Sequence, residues 1–143
     1  VKSVDSCEKK SFFYKGDIMA NLPEEVIKAW EQKSGPVILS TVDKSGSPNS
    51  IYATCVSRYS ESTLVVADNY FDKTRKNILG GSRASILFIT KAVTSYQVKG
   101  AIKLVTEGPV YDDMKKWNPE KHPGHAAAVL TVEEVYSGSK RLL

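Results

Sequence analysis

The sequence predicts a mainly β, antiparallel domain, a small barrel or sandwich, on three observations. Six extended apolar stretches stand against three short helical ones. Several of the connections are tight turns of Asp, Ser and Gly. Strands do not alternate with long helices, so nothing in the pattern would build a parallel, doubly wound sheet.

Residues 1–18 mix Lys, Ser and aromatics without a period and read as an N-terminal arm, with the domain running from 19 to 143. At Asn21 the pattern sharpens. Asn21 and Glu24 have capping-box spacing, Pro23 falls in the first turn, and Leu22, Val26, Ile27 and Trp30 share one helical face. The helix is expected to reach about Lys33, where Ser34-Gly35-Pro36 stops it. Val37 to Val42 is a β-branched strand, Asp43-Lys44-Ser45-Gly46 is turn chemistry, and a second extended run follows from Asn49 to Tyr59. A short turn at Ser60-Glu61-Ser62 leads into Thr63 to Ala67, which predicts a meander of three consecutive strands.

Asp72 to Leu79 has helix-compatible residues between a potential N-cap and the stop Gly80-Gly81. Ala84 to Thr90 reads as a buried strand. From Ser95 to Thr106, Tyr96, Val98, Gly100, Ile102 and Leu104 alternate with more polar positions, so one face of that strand should meet water. Val110, Met114 and Trp117 mark a short amphipathic helix, and a last strand runs from about Ala127 to Val135.

A chain of 143 residues holds one core. Its 41% hydrophobic and 25% charged residues are ordinary for a globular protein. The sequence shows neither an apolar run of the roughly 18 residues a membrane span needs nor a secretory leader, which predicts a cytoplasmic protein. The net charge of +4 comes from 20 basic residues interspersed with 16 acidic ones, a mild bias toward phosphate or nucleic acid. Cys7 and Cys55 form no CxxC pair and have no histidines at ligand spacing, so no zinc site or disulfide framework is expected. Cys55 reads as a small buried residue, with a catalytic thiol as the alternative.

The stretch Val65-Val66-Ala67-Asp68-Asn69-Tyr70-Phe71-Asp72-Lys73-Thr74-Arg75-Lys76-Asn77 carries the most chemistry, because a buried strand runs into a basic, hydroxyl-bearing helix start. Lys73, Thr74 and Arg75 offer charge-assisted and hydroxyl donors to a phosphate, each charge-assisted bond worth about 1.5–3 kcal/mol. The same spacing also suits a solvated helix face. His122 and His125, in Lys121-His122-Pro123-Gly124-His125, make an incomplete metal site and read as surface-loop residues.

From Leu22 to Val132 the chain resembles the pyridoxamine 5′-phosphate oxidase-like family of FMN-binding split barrels, and is most similar to its small FMN-binding proteins. The resemblance rests on the helix, then Gly-Pro-Val-Ile-Leu-Ser-Thr, Asp-Lys-Ser-Gly-Ser-Pro, Asn49-Ser50-Ile51-Tyr52, Thr63-Leu64-Val65-Val66 and, above all, Lys73-Thr74-Arg75-Lys76-Asn77-Ile78. It implies a six-stranded antiparallel split β-barrel with two or three short helices. It further implies a homodimer holding FMN noncovalently at the subunit boundary. Lys73 and Thr74 would hold the FMN phosphate, with Asn77 displaced from the family motif by the extra Lys76. Asn49, Ser50, Ile51 and Tyr52 would line the isoalloxazine ring, and Ala67, Asp68 and Asn69 would offer backbone contacts. For Tyr52 a core aromatic is the alternative reading, and His125 becomes a secondary ligand candidate.

The implied role is redox, as an oxidoreductase or an electron carrier with a partner still to be named. No acid–base side chain is required where the cofactor carries the chemistry. Pyridoxamine phosphate oxidation itself is not expected, because such oxidases add a C-terminal region. Two alternatives stand beside this reading. One is a basic barrel binding single-stranded nucleic acid through Tyr96, Lys99 and Lys103; the other is a split barrel using deazaflavin or haem.

Overall fold

Apolar strands and polar turns set the first hairpin. A computed structural model of the chain describes residues 20–143, so the expected arm over 1–18 lies outside the described residues. β1 (Val37–Val42) pairs antiparallel with β2 (Pro48–Ala53), from Val37 opposite Ala53 to Val42 opposite Pro48. The turn between them is wound on Asp43, whose Oδ1 accepts hydrogen bonds from the Ser45 amide (2.9 Å), the Ser45 hydroxyl (2.7 Å) and the Ser47 amide (2.9 Å). The Ser45 hydroxyl foremost, and the backbone amides with it, hold the Asp43 carboxyl below the usual carboxylate range.

The Asn49–Tyr59 run expected as one strand is two. β2 ends at Ala53, and β3 (Val56–Ser60) begins after Thr54 and Cys55. Parity explains the break. Ile51, Ala53 and Val56 all pack on the main core, whereas Cys55 and Tyr59 pack on a second cluster. A continuous strand of period two cannot send residues 51, 53 and 56 to the same side. β3 pairs with β4 (Thr63–Asp68), so the predicted three-strand meander is replaced by two separate hairpins.

The sheet order is β2-β1-β5-β6-β7-β4-β3, with β5 (Arg83–Ile89), β6 (Ser95–Val105) and β7 (Ala126–Ser137) in the centre and a two-residue β8 (Lys140–Arg141) beside β7. Seven full strands therefore stand where six were expected. β2 and β3, at opposite ends of this order, are joined through two residues. Three peptide steps span at most about 11 Å, so the sheet must curl until its edges meet. The curl encloses Leu39, Leu64, Ile86, Val98, Leu130 and Val132, all buried.

Helix α1 (Glu24–Glu31) adds Val26 and Trp30 to this core. Trp30 meets Phe88 edge-on at 5.1 Å, and Phe88 stacks on Tyr96 at 5.5 Å. The predicted Asn21 cap is not made. Pro23 occupies the N-cap position and its carbonyl accepts from the Val26 and Ile27 amides, which starts the helix beyond the reach of Asn21. On the outer face of β4 and β7, helix α3 (Pro109–Trp117) lays Val110 and Met114 over Val65, Ala67, Ala127 and Val129. Those two strands are thus covered on both sides, which accounts for their continuous rather than alternating apolar runs.

Gly100 shapes the long β6–β7 ribbon. Register shifts between Lys99, opposite Glu134, and Gly100, opposite Val132. A Cβ at Gly100 would lie 1.8 Å from the Thr131 carbonyl oxygen. Only glycine admits that approach, and Glu133, the extra residue of the bulge, is left to pair with Arg83.

Candidate functional site

Where the curled sheet's edges meet, helix α2 (Lys73–Leu79) follows β4 and opens a cleft of about 340 Å³. Ile51, Ala53, Ala67 and Phe71 give it apolar surface, Asn49, Lys73 and Thr74 polar atoms, and Tyr52 and Tyr70 stand at its rim with His122. Tyr52 and Tyr70 are 76% and 71% exposed, so neither is a core aromatic.

The loop from β4 to α2 is set by a buried carboxylate. Asp68, fully enclosed, accepts from Arg75 Nε on Oδ2 (2.7 Å), from the second guanidinium nitrogen on Oδ1 (2.8 Å), and from the Phe71 amide on Oδ1 (3.1 Å). That hydrogen bonding raises the Arg75 pKa above the usual arginine range. With the loop closed in this way, Lys73 is exposed at the cleft and Thr74 is buried on its floor. Asn49 Nδ2 donates to Thr74 Oγ1 at 3.1 Å, which leaves the threonine proton for another acceptor.

The residues expected to bind cofactor divide into two groups. Asn49, Ile51, Tyr52, Ala67, Asn69, Lys73 and Thr74 line this one cleft. Ser50, Asp68 and Asn77 are not among its lining residues. Ser50 is exposed and shares a 2.8 Å hydrogen bond with Ser40. Asp68 is taken up by Arg75, and Asn77 Nδ2 donates to Thr41 Oγ1 at 3.0 Å, tying α2 to β1. Asn69 lines the cleft, but its side chain is committed to a reciprocal amide pair with Asn118 at 2.9 and 3.0 Å, and its Oδ1 also accepts from the Gly124 amide.

Sequence reasoning missed Tyr70, Phe71, Thr54 and the placing of His122. No local signal in the sequence gives the position of His122, which follows from the buried amide pair of Asn118 with Asn69 that brings this loop to β4. His125, by contrast, is exposed and donates its amide to the Asp68 carbonyl at 2.9 Å. Cys55 is half-buried and lines the cleft. Among the described residues no group of three or more His, Cys, Asp or Glu side chains could hold a metal ion, and no helix is long and apolar enough to cross a membrane. Tyr96, the aromatic of the nucleic-acid alternative, is buried against Phe88 and donates its hydroxyl to Glu25 at 3.3 Å, so it offers no open stacking face.

The family model described as pyridoxamine 5′-phosphate oxidase matches residues 23–138. The chain belongs to that family. Among curated proteins, an uncharacterised protein of Methanocaldococcus jannaschii is 29% identical over 130 residues, covering 87% of this chain and 85% of its own. HupZ of Group A Streptococcus has the same fold at a TM-score of 0.70 and 24% identity, over 81% of this chain and 93% of HupZ. An FMN-binding protein of Syntrophomonas wolfei follows at 0.65 and 20%, over 81% and 96%. The haem storage protein HutZ of Vibrio cholerae, at 0.59 and 17% over 81% and 94%, and an F420 reductase, at 0.61 and 15% over 80% and 98%, share the architecture. At these identities the structural likeness is one of fold, and the proteins that share it go by different cofactors in their names: FMN, haem and F420.

Proposed function

We propose that the cleft holds FMN noncovalently and that the protein is a redox flavoprotein acting as a homodimer. The observation that carries this is the placing of Lys73 and Thr74 beside the apolar surface of Ile51, Ala67 and Phe71. Phosphate needs a cation and a free hydroxyl; a flavin ring needs a flat apolar wall with polar atoms at its margin. The cleft has both, and its volume lies within the roughly 300–1,000 Å³ of ordinary ligand sites. FMN, when bound, would supply one- and two-electron transfer. The protein's residues bind the phosphate, wall the ring and limit access of water.

The dimer reading is supported by an outward row across three strands. Tyr52 lies opposite Ile38, Ile38 opposite Leu87, and Ile89 follows on the same face. Leu87 and Ile89 are 37% and 40% exposed, and Tyr52 carries the row to the rim of the cleft. A second copy seated there would close the site.

His122 favours one other reading, since an imidazole at the rim is a suitable iron ligand and the haem storage protein HutZ has this fold. Visible spectra of the purified protein, before and after adding FMN, haem or a deazaflavin and removing the excess, decide among these. Retained FMN at one per chain supports the flavin reading. A haem band without flavin uptake overturns it.

A further inference from the structure

His122 is fixed in place rather than carried on a free loop. The Gly124 amide donates to Asn69 Oδ1 at 2.9 Å, Lys115 Nζ donates to the Pro123 and Gly124 carbonyls at 2.9 and 3.3 Å, and the His122 amide donates to the Pro119 carbonyl at 3.0 Å. Its Nδ1 lies 3.1 Å from the Tyr70 hydroxyl, with the two rings edge-on at 5.6 Å. The partner's chemistry matters. A carboxylate or a backbone carbonyl only accepts, and would keep a proton on Nδ1. A phenol hydroxyl donates to neutral Nδ1 and accepts from protonated Nδ1, so this imidazole can gain a proton without losing its hydrogen bond.

The charges around the cleft give that freedom a use. Among the described residues its lining carries one cation, Lys73, and one anion, Asp72, which lies 3.5 Å from Lys76. Arg75, the remaining cation of α2, is spent on Asp68. Of the other groups near His122, Lys115 is turned to the loop carbonyls, Glu120 and Lys121 are exposed on its own loop, and Tyr52, Tyr70 and Cys55 share the cleft. A phosphate monoester brings about −1.5 to −2 charge at neutral pH. Lys73 alone does not balance that charge, and a proton on His122 would add a second cation to the same cleft.

We infer that His122, held by Tyr70, is an anion-binding residue of the cleft: a phosphate-bearing ligand is bound together with a proton on this imidazole. The inference rests on the FMN reading above. An anion close by favours the charged imidazole, so the share of the affinity owed to His122 grows as pH falls, against the loss of phosphate charge that the wild type and a His122 variant have in common.

Calorimetry of FMN binding in buffers of different ionisation enthalpy, from pH 8 to pH 6, reads the proton directly. The wild-type protein is expected to take up a fraction of a proton near pH 7 and to bind FMN about three- to tenfold more tightly at pH 6 than H122Q does, when each is referred to its own value at pH 8. Riboflavin, which lacks the phosphate, should bind without proton uptake. Tyr70→Phe should lose part of the gain at pH 6, because the protonated Nδ1 then lacks its acceptor. Uptake that persists in H122Q, or that riboflavin reproduces, overturns the inference while leaving the FMN reading intact. Absence of FMN binding by the wild-type protein overturns both.

Discussion

Asp68 and Arg75 form a two-point ion pair, 2.7 and 2.8 Å, that closes the link between β4 and α2 from inside the protein. The carboxylate is fully enclosed while the guanidinium is 37% exposed, so the pair is anchored on one side and wet on the other. Arg75→Ala would leave an enclosed carboxylate with the Phe71 amide as its remaining partner. A loss of about 2–4 kcal/mol is expected in urea unfolding. Full retention of stability would show that the loop is held by other contacts.

Lys73 should act on ligand binding and hardly on folding, since its side chain is exposed at the cleft. Lys73→Ala is expected to weaken FMN binding by about 10- to 100-fold, the worth of one charge-assisted hydrogen bond. Riboflavin affinity should change little. Fluorescence titration of both ligands measures the difference, and an equal loss for the two would move the phosphate away from Lys73.

Gly100→Ala tests the bulge. The new methyl would meet the Thr131 carbonyl oxygen at 1.8 Å, so β6 and β7 must separate locally. Destabilisation of about 3 kcal/mol or more is expected, the upper end of what overpacking costs. Thermal melting of the variant beside Gly46→Ala, where the added methyl meets open space but the backbone lies at φ +90°, separates this clash from the cost of placing a side chain in the left-handed region.

Acid should release the β1–β2 turn. The folded Asp43 carboxyl lies below its unfolded value because Ser45 and Ser47 hydrogen-bond to its charged form. A depressed acid contributes stability that is present above the unfolded pKa and lost as pH falls through the folded one. The amide resonances of Ser45 and Ser47 should therefore hold steady at neutral pH and move only below the ordinary carboxylate range. In Asp43→Asn the acid step should be missing.

Much of this architecture was legible in the chain. Strand β1, the Asp43 turn, the alternation of β6 and the heptapeptide helix at Lys73 all lie where periodicity and turn chemistry put them, because each is fixed by neighbours in sequence. The break at Thr54 and Cys55 was not legible: every residue from Asn49 to Tyr59 tolerates an extended backbone, and the change of side is set by partners at Val37 and Val66, distant in sequence. The site divides the same way. Lys73 and Thr74 announce themselves beside a strand end, and the family resemblance drew in Asn49 and Ile51. Tyr70 and His122 meet only because the Asn69–Asn118 amide pair joins segments 49 positions apart.

The two residues that carry the chain from β2 to β3 have a consequence for what the cleft can read. Among the described residues β2 pairs with β1 alone and β3 with β4 alone, so the seam between them is a line of main-chain groups without ladder partners, and its β2 side with Thr54 and Cys55 borders the cleft. A molecule lying along that seam can be recognised by the polypeptide itself. Substitution can repaint the walls and change which ring system fits, yet it cannot erase those donors and acceptors. The fold would then offer a standing invitation to planar, polar-edged molecules, with the choice of guest left to a handful of side chains.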